Sequence, residues 1–331
     1  MPHRDESGER CCYPGYMTPP SHKLAIVIPT IGRHAELRRM LASVAAQTRL
    51  PEQVLIVGEG EGMAELAREF PRLNAEFISM PGSSICDARN RGTQLARPEC
   101  TLIAFMDDDI LLEPQAISAL LDFWEHASDD LGGTGCNLVN YPTLQAGRLK
   151  ALRLTSRLEL YDSSKGAVLR SGIHTMMPGI REDTYVRWLP TYAVVYSRLA
   201  LNEFWFDEWF VSYSYLEDLD LSYRIGKKYK LAVVAEARFY HYPSEVGRPS
   251  DYRFGKKEVL NRLYFVSKHR ELSRRLCRVA LVIRALMTIL LGLRKFEISY
   301  FKRAAGNFAG LLLGLDGSSL DARRTRTHEL S

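Results

Sequence analysis

The sequence predicts an α/β fold, a mostly parallel, twisted sheet with helices on both faces, continued by a basic helical extension. Three observations predict it. Strand-like and helix-like segments alternate throughout residues 24–126. The strand-like runs are short, apolar and rich in β-branched residues, as buried strands are. One of them, Leu102 to Met106, ends abruptly in Asp107, Asp108 and Asp109. Carboxylates at that end of a strand lie where open α/β sheets bind ligands.

The first strand is Leu24–Pro29, and Thr30-Ile-Gly32 turns into a helix from Arg33 to about Gln47. Leu37, Met40, Leu41 and Val44 give that helix a stripe at i, i+3, i+4, i+7. Pro51 breaks the chain before a second strand, Gln53–Val57. A glycine-rich loop, Gly58–Gly62, leads to a short helix ending at Phe70 and a third strand, Ala75–Ser79. Pro81–Ser84 turns and caps a helix from Ile85 to Leu95. The carboxylate strand follows, then a helix over Gln115–His126. Residues 138–190 show no period, and a long irregular stretch of this kind suits a binding loop for a second substrate. Order returns with Tyr192–Tyr196, a helix beginning at Leu216 and a strand over Lys230–Ala235 that leads to His241.

Length and charge bound the possibilities. The chain has 331 residues and a net charge of +5, with basic residues gathered between Arg253 and Arg278. That balance suits an anionic substrate or surface, and no nucleic-acid-binding motif accompanies it. None of the six cysteines forms a C-x-x-C pair, so a zinc site is not expected, and reduced thiols of a cytoplasmic protein are. Residues 1–23 read as a disordered lead-in, 24–250 as a catalytic domain, 251–315 as a basic helical extension and 316–331 as a disordered tail.

Three adjacent carboxylates repel one another, and a divalent cation with oxygen ligands relieves that repulsion. Side chains alternate along an extended chain, so Asp107 and Asp109 point one way and Asp108 the other. A solvated acidic turn capping the next helix is the plainer reading, but a cap needs one Asp.

Several motifs follow one another in a fixed order. They are Ala25–Thr30 with Arg33, Ala88-Arg-Asn-Arg-Gly92, Phe105–Asp109, Phe206-Asp-Glu208, Glu217-Asp-Leu-Asp-Leu221 with Arg224, and His241. In this order and spacing the chain resembles family 2 glycosyltransferases of the GT-A fold over about residues 24–265. The resemblance implies an inverting transfer of a sugar from a nucleotide-diphosphate sugar donor to an acceptor hydroxyl, with Mn²⁺ or Mg²⁺ on the diphosphate. It implies that Asp109 and His241 serve the metal, and that Asp107 and Asp108 lie on the donor side. Pro29, Thr30, Arg33, Glu59, Arg89 and Asn90 are implied for donor binding. The Glu217-Asp218 pair resembles the element that holds the catalytic base, with Asp218 preferred and Glu217 in reserve. The chain departs from the family after its second strand. An acidic pair is common there, whereas this chain has Val57-Gly-Glu-Gly60, so Glu59 is the candidate substitute and the nucleotide base stays open.

Val279–Leu293 is very apolar but carries Arg284. It reads as a core or dimer helix, or as a segment that brings residues 270–315 to a membrane surface. The second reading points to a lipid-linked or cell-surface saccharide acceptor at the inner face of the cell membrane, as in polysaccharide biosynthesis. Two rival functions share these features: a sugar-phosphate nucleotidyltransferase and a non-catalytic nucleotide-sugar-binding scaffold. The first lacks its expected glycine-rich loop, and the intact carboxylate sets weigh against the second.

Overall fold

A computed structural model describes residues 22–141, 162–210, 214–244 and 246–314. The expected lead-in up to residue 21, the tail from 315 and residues 142–161 of the expected acceptor loop lie outside the described residues. Among the described residues the sheet has nine strands. In chain order they are β1 (Leu24–Ile31), β2 (Gln53–Glu59), β3 (Ala75–Ser79), β4 (Leu102–Met106), β5 (Ile110–Leu112), β6 (Leu131–Leu138), β7 (Thr184–Val186), β8 (Ala193–Ser197) and β9 (Lys230–His241). The order across the sheet is β3-β2-β1-β4-β8-β6-β9-β5, with β7 on β9.

The sheet is mixed. The strands of the alternating region, β3 to β4, pair in parallel as the sequence implies. Beyond β4 the pairing turns antiparallel at β8 and stays mixed, with β6 and β9 parallel to each other. Alternation of strand and helix stops after residue 126, so no crossover helix enforces a parallel partner there.

Helices cover both faces. These are α1 (His34–Ala45), α2 (Met63–Arg68), α3 (Ile85–Leu95), α4 (Ala116–Glu125), α5 (Arg198–Glu203) and α6 (Glu217–Ile225). The α1 stripe of Leu37, Met40, Leu41 and Val44 is fully buried and joins Ile26, Ile28, Val54 and Ile56 in one core. The opposite faces of the same strands, through Val27, Leu55 and Phe105, enter a second core.

That second core extends past residue 250. It includes Val259, Leu260, Phe265 and Val266 of α7 (Asp251–Lys268), and Cys277 and Leu281 of α8 (Arg274–Lys295). The basic helices therefore pack into the same buried cluster as the strands. A last helix, α9 (Ile298–Leu313), packs along α7. Arg284, the charge that interrupts the apolar run, reaches Glu258 of α7 at 3.4 Å. Glu258 is buried and also holds Arg303 of α9 at 3.0 Å, so one carboxylate ties the three helices together. Burial alone would raise its pKa, but Arg303 and Arg284 keep it below the ordinary value.

β9 runs six residues past its expected end. Its pairing with β6 jumps from Cys136↔Val234 to Asn137↔Arg238, a bulge of three residues on β9. The Asn137 side chain fills the gap by donating to the carbonyls of Ala235 and Ile180, each at 2.8 Å. Past the bulge, β9 pairs antiparallel with β5, and Ile110 faces His241. That register carries His241 across 132 residues of chain to the carboxylate run.

Candidate active site

A cleft of about 350 Å³ opens at the carboxyl ends of β1, β2 and β4. Pro29, Thr30, Arg33 and Glu59 line one side, Arg89 and Asp107 the floor, and Asp109, His241, Glu217 and Asp218 the other side. Ten of the twelve candidate residues thus meet in one cavity.

The carboxylate run splits as the alternation rule requires. Asp108 is fully buried and turned away from the cleft. It accepts from Thr30 Oγ1 at 2.7 Å and Arg33 Nε at 3.1 Å. Asp108 is therefore not a donor contact; it fastens the first loop, because its side chain points into the protein. Burial pushes its carboxyl up to about 7 despite Arg33. Asp107, Asp109 and His241 face one another, with their ligand atoms within 4.8 Å. Asp107 thereby joins the metal candidates, beyond the donor-side place that the resemblance implies.

Asp109 has three polar partners, and both of its oxygens are engaged. His241 Nε2 lies 3.1 Å from Oδ1, and Oδ2 takes Ser244 N–H at 3.0 Å and Arg33 Nη1 at 3.2 Å. Burial works to raise its pKa, but the His241 and Ser244 hydrogen bonds outweigh that and hold it below the ordinary value. Asp109 stays an anion. The ring of Tyr192 lies 5.6 Å from that of His241, and the Tyr192 carbonyl accepts Asp107 N–H at 3.1 Å. Two carboxylates and an imidazole, open on one side to the cleft, make a donor set that fits Mn²⁺ or Mg²⁺ and leaves ligand positions for phosphate oxygens.

Glu217 and Asp218 are aimed by an unusual backbone. Leu216, just before α6, sits at φ 74° with its side chain buried. A left-handed leucine costs on the order of 1–2 kcal/mol and persists where packing enforces it. Arg89, 1% exposed, spans the two halves of the site. It donates from Nη1 to Glu217 and from Nη2 to Asp107, each at 3.0 Å. Glu217 is thereby ion-paired, sharing Arg89 with Asp107. Asp218 makes no ion pair among the described residues; its Oδ1 accepts Leu219 N–H at 2.7 Å. Burial first, and then the neighbouring Glu217 charge, pushes Asp218 up to about 7.

Behind the pair, Asp220 is held by Arg224 Nε and Lys268 Nζ, both at 2.9 Å. Lys268 also reaches Asp207 at 2.6 Å, where Tyr264 OH donates at 2.8 Å. Tyr264 stacks on Trp209 at 3.9 Å. The Phe206-Asp-Glu208 segment and α6 are thus braced from α7.

Asn90 does not line the cleft. Its amide donates to the Phe206 carbonyl and accepts Phe206 N–H, both at 3.0 Å, so it holds the wall behind the site. Glu59 does reach the cleft and accepts Gly82 N–H at 2.8 Å. Its neighbour Gly58 explains the departure from the family pattern. At φ 148°, a Cβ there would fall 1.9 Å from the Thr30 carbonyl oxygen, so no acid can occupy that place on this backbone.

The sequence reading missed Thr191, Tyr192, Ser214, Ser244 and Arg248, all of which line the cleft. The described residues of 138–190, expected to shape the acceptor half, do not reach it; Ile180, Trp188 and Leu189 are buried in the core instead. Thr191 and Tyr192 lie just past that window. Arg248, followed by Pro249, was a visible cation in a loop, and His241-Tyr-Pro-Ser244 was its only other signal.

The mixed sheet with flanking helices is similar to the fold of solved glycosyltransferases. Residues 25–183 match the model of glycosyl transferase family 2. Over that stretch, just under half of its length, the chain is similar to this family. Validoxylamine A glucosyltransferase of Streptomyces hygroscopicus subsp. limoneus is 33% identical over 105 residues, 30% of this chain and 23% of that protein. Glucosyl-dolichyl phosphate glucuronosyltransferase of Haloferax volcanii is 29% identical over 123 residues, 34% of this chain and 38% of that protein. This chain thus matches well under half the length of either relative. A crystal structure of GalNAc-T7 with UDP, GalNAc and Mn²⁺ is similar in fold, with a TM-score of 0.52 at 16% identity over 73% of this chain and 50% of that one.

Proposed function

We propose that this chain is a metal-dependent inverting glycosyltransferase acting on a nucleotide-diphosphate sugar. The observation that carries the reading is the pairing, across one cleft, of a metal-type donor set with a cation-free Asp218. Asp107, Asp109 and His241 would hold Mn²⁺ or Mg²⁺, which neutralises the leaving diphosphate when bound. Arg33 and Arg248 add positive charge around the same cavity. Pro29, Thr30 and Glu59 lie where the nucleoside would enter.

Asp218 acts as the general base. The acceptor oxygen attacks the anomeric carbon, its proton passes to the Asp218 carboxylate, and the bond from that carbon to the diphosphate oxygen breaks. A carboxylate raised towards neutrality is a stronger base than an ordinary one. Arg89 keeps Glu217 occupied and fixes the distance between donor and base halves. The acceptor is a saccharide, lipid-linked or on the way to the cell surface, met at the cytoplasmic face of the membrane. The glucuronosyltransferase relative, whose name specifies a dolichyl phosphate-linked glucose, supports that choice.

The test is a panel of uridine, thymidine and guanosine diphosphate sugars with Mn²⁺ or Mg²⁺, scored for the nucleotide released. The reading expects a nucleoside diphosphate, and none in EDTA. Pyrophosphate release would point to nucleotidyl transfer, and metal-dependent binding without turnover to a scaffold.

A further inference from the structure

Between Leu272 and Gly314 the chain carries eight lysines and arginines and one acid, Glu297. Within that segment α8 presents two faces. One buries Cys277, Ala280, Leu281 and Ala285 against the protein. The other leaves Leu286, Leu290 and Leu293 about half exposed or more, and it continues round the α8–α9 corner to Phe296, 95% exposed, and Ile298, 71% exposed. Burying such side chains is favourable by about 1.5–3 kcal/mol each, so a contiguous exposed set calls for a partner.

Charge selects the partner. Arg294, Lys295 and Lys302 are exposed at the same corner, beside the apolar tip. Cations rimming an apolar surface match an interface of phosphates over acyl chains. α8 itself, with 22 residues and a mean hydropathy of 2.1 over an 18-residue window, is by length and composition apolar enough to cross a bilayer. Its other contacts oppose crossing. Arg284 is tied to Glu258, Arg278 Nη2 reaches the Gly314 carbonyl at 3.4 Å, and the inner face is in the core.

The corner also lies towards the cleft. A Cβ on Gly306 would fall 2.1 Å from the Tyr252 carbonyl oxygen, and one on Gly255 2.1 Å from that of Arg303, so α9 begins beside the start of α7. Gly292, near the end of α8, meets Tyr300 and Phe301. The start of α7 follows the Ser244–Arg248 lip of the cleft, and Phe254 packs on Tyr215 at 5.2 Å, next to the cleft residue Ser214.

We infer that the α8–α9 corner docks on one leaflet of an anionic lipid bilayer, with Leu290, Leu293, Phe296 and Ile298 in the acyl boundary and Arg294, Lys295 and Lys302 on lipid phosphates. This deepens the glycosyltransferase reading, since it names the surface from which a lipid-linked acceptor would meet the cleft, but it stands on different residues.

Flotation of the full chain with phosphatidylcholine vesicles, with and without phosphatidylglycerol, tests it. The intact chain should float with the anionic vesicles, more weakly with the neutral ones, and be extracted by alkaline carbonate. Leu290→Ser combined with Leu293→Ser and Phe296→Ser should weaken binding at least about tenfold. Arg294→Gln with Lys295→Gln should cost about fivefold per residue on anionic vesicles only. All these positions are exposed, so both variants should keep the wild-type melting temperature. Resistance to carbonate would make α8 a span and overturn the inference. So would no vesicle binding by the intact chain, unchanged binding of the triple variant, or a concentration-dependent dimer that the triple variant abolishes. A nucleoside-diphosphate thermal shift without vesicles keeps the two readings apart: its absence in the wild type would sink the catalytic reading and leave the docking result standing.

Discussion

Two carboxylates in one cleft are treated in opposite ways. Asp109 sits among His241, Arg33 and the Ser244 N–H, and its pKa falls. Asp218 sits within the same cavity with no ion pair among the described residues, next to another acid, and its pKa rises. Burial acts on both, and partners decide the sign. The donor half is built to stay anionic and hold a cation; the base half is built to exchange a proton. Arg89 couples the halves by holding one acid from each.

The largest effect should come from removing the base. Asp218→Asn should lower turnover by a factor of about 10²–10⁴ while leaving donor affinity close to wild type. Equal turnover in steady-state assays would move the base elsewhere in the cleft. Arg89→Met strips the counter-ion from buried Glu217 and part-buried Asp107 at once and should cost about 3 kcal/mol of stability by denaturant unfolding. A loss below about 1 kcal/mol would mean that the halves are not coupled through it. Asp109→Ala should mimic metal removal, with transfer lost and not restored by excess Mn²⁺. Restoration by metal would leave Asp107 and His241 as the sufficient set.

Proton exchange has a signature in pH. Since Asp218 must be ionised to act, kcat/KM should rise with pH through a limb near 7 that Asp218→Asn erases. The stability effect has the opposite sense. A carboxyl raised in the folded state binds its proton more tightly there than when unfolded, so the contribution of Asp218 to stability declines from about pH 4 up through 7. Asp218→Asn should therefore be more stable than wild type at pH 8 and no more stable at pH 5. A gain at pH 5 equal to that at pH 8 would rule out titration as its cause. The smallest effect is expected of Lys268→Met. It removes a brace between Asp207 and Asp220 but leaves Arg224 on Asp220, so about 1 kcal/mol should go, with turnover falling less than tenfold.

What the sequence revealed differs between the same two regions. The parallel half was readable because each element carries its own local period, and the Asp107–Asp109 run marks the strand end by composition. His241 could be placed at the metal only by resemblance. Its position depends on a three-residue bulge opposite Asn137 and on pairing with β5, and neither leaves a local trace. Asn90 and Asp108 were assigned to the donor because they sit in motifs; alternation already turns Asp108 the other way, whereas the direction of Asn90 is set by its contacts with Phe206. Ser244, Arg248 and Thr191 come from loops, where spacing says little about which side chain turns inwards.

The most direct test of a divided site is a thermal-shift titration of nucleoside diphosphates with and without Mn²⁺, run on wild type, Asp109→Ala and Asp218→Asn. The account predicts that one diphosphate stabilises the wild type only with metal, by about 2.7 kcal/mol at a hundredfold excess over its Kd. Asp218→Asn should keep that shift and Asp109→Ala should lose it. Loss of the shift in both variants, or retention in both, would contradict the division between donor half and base half.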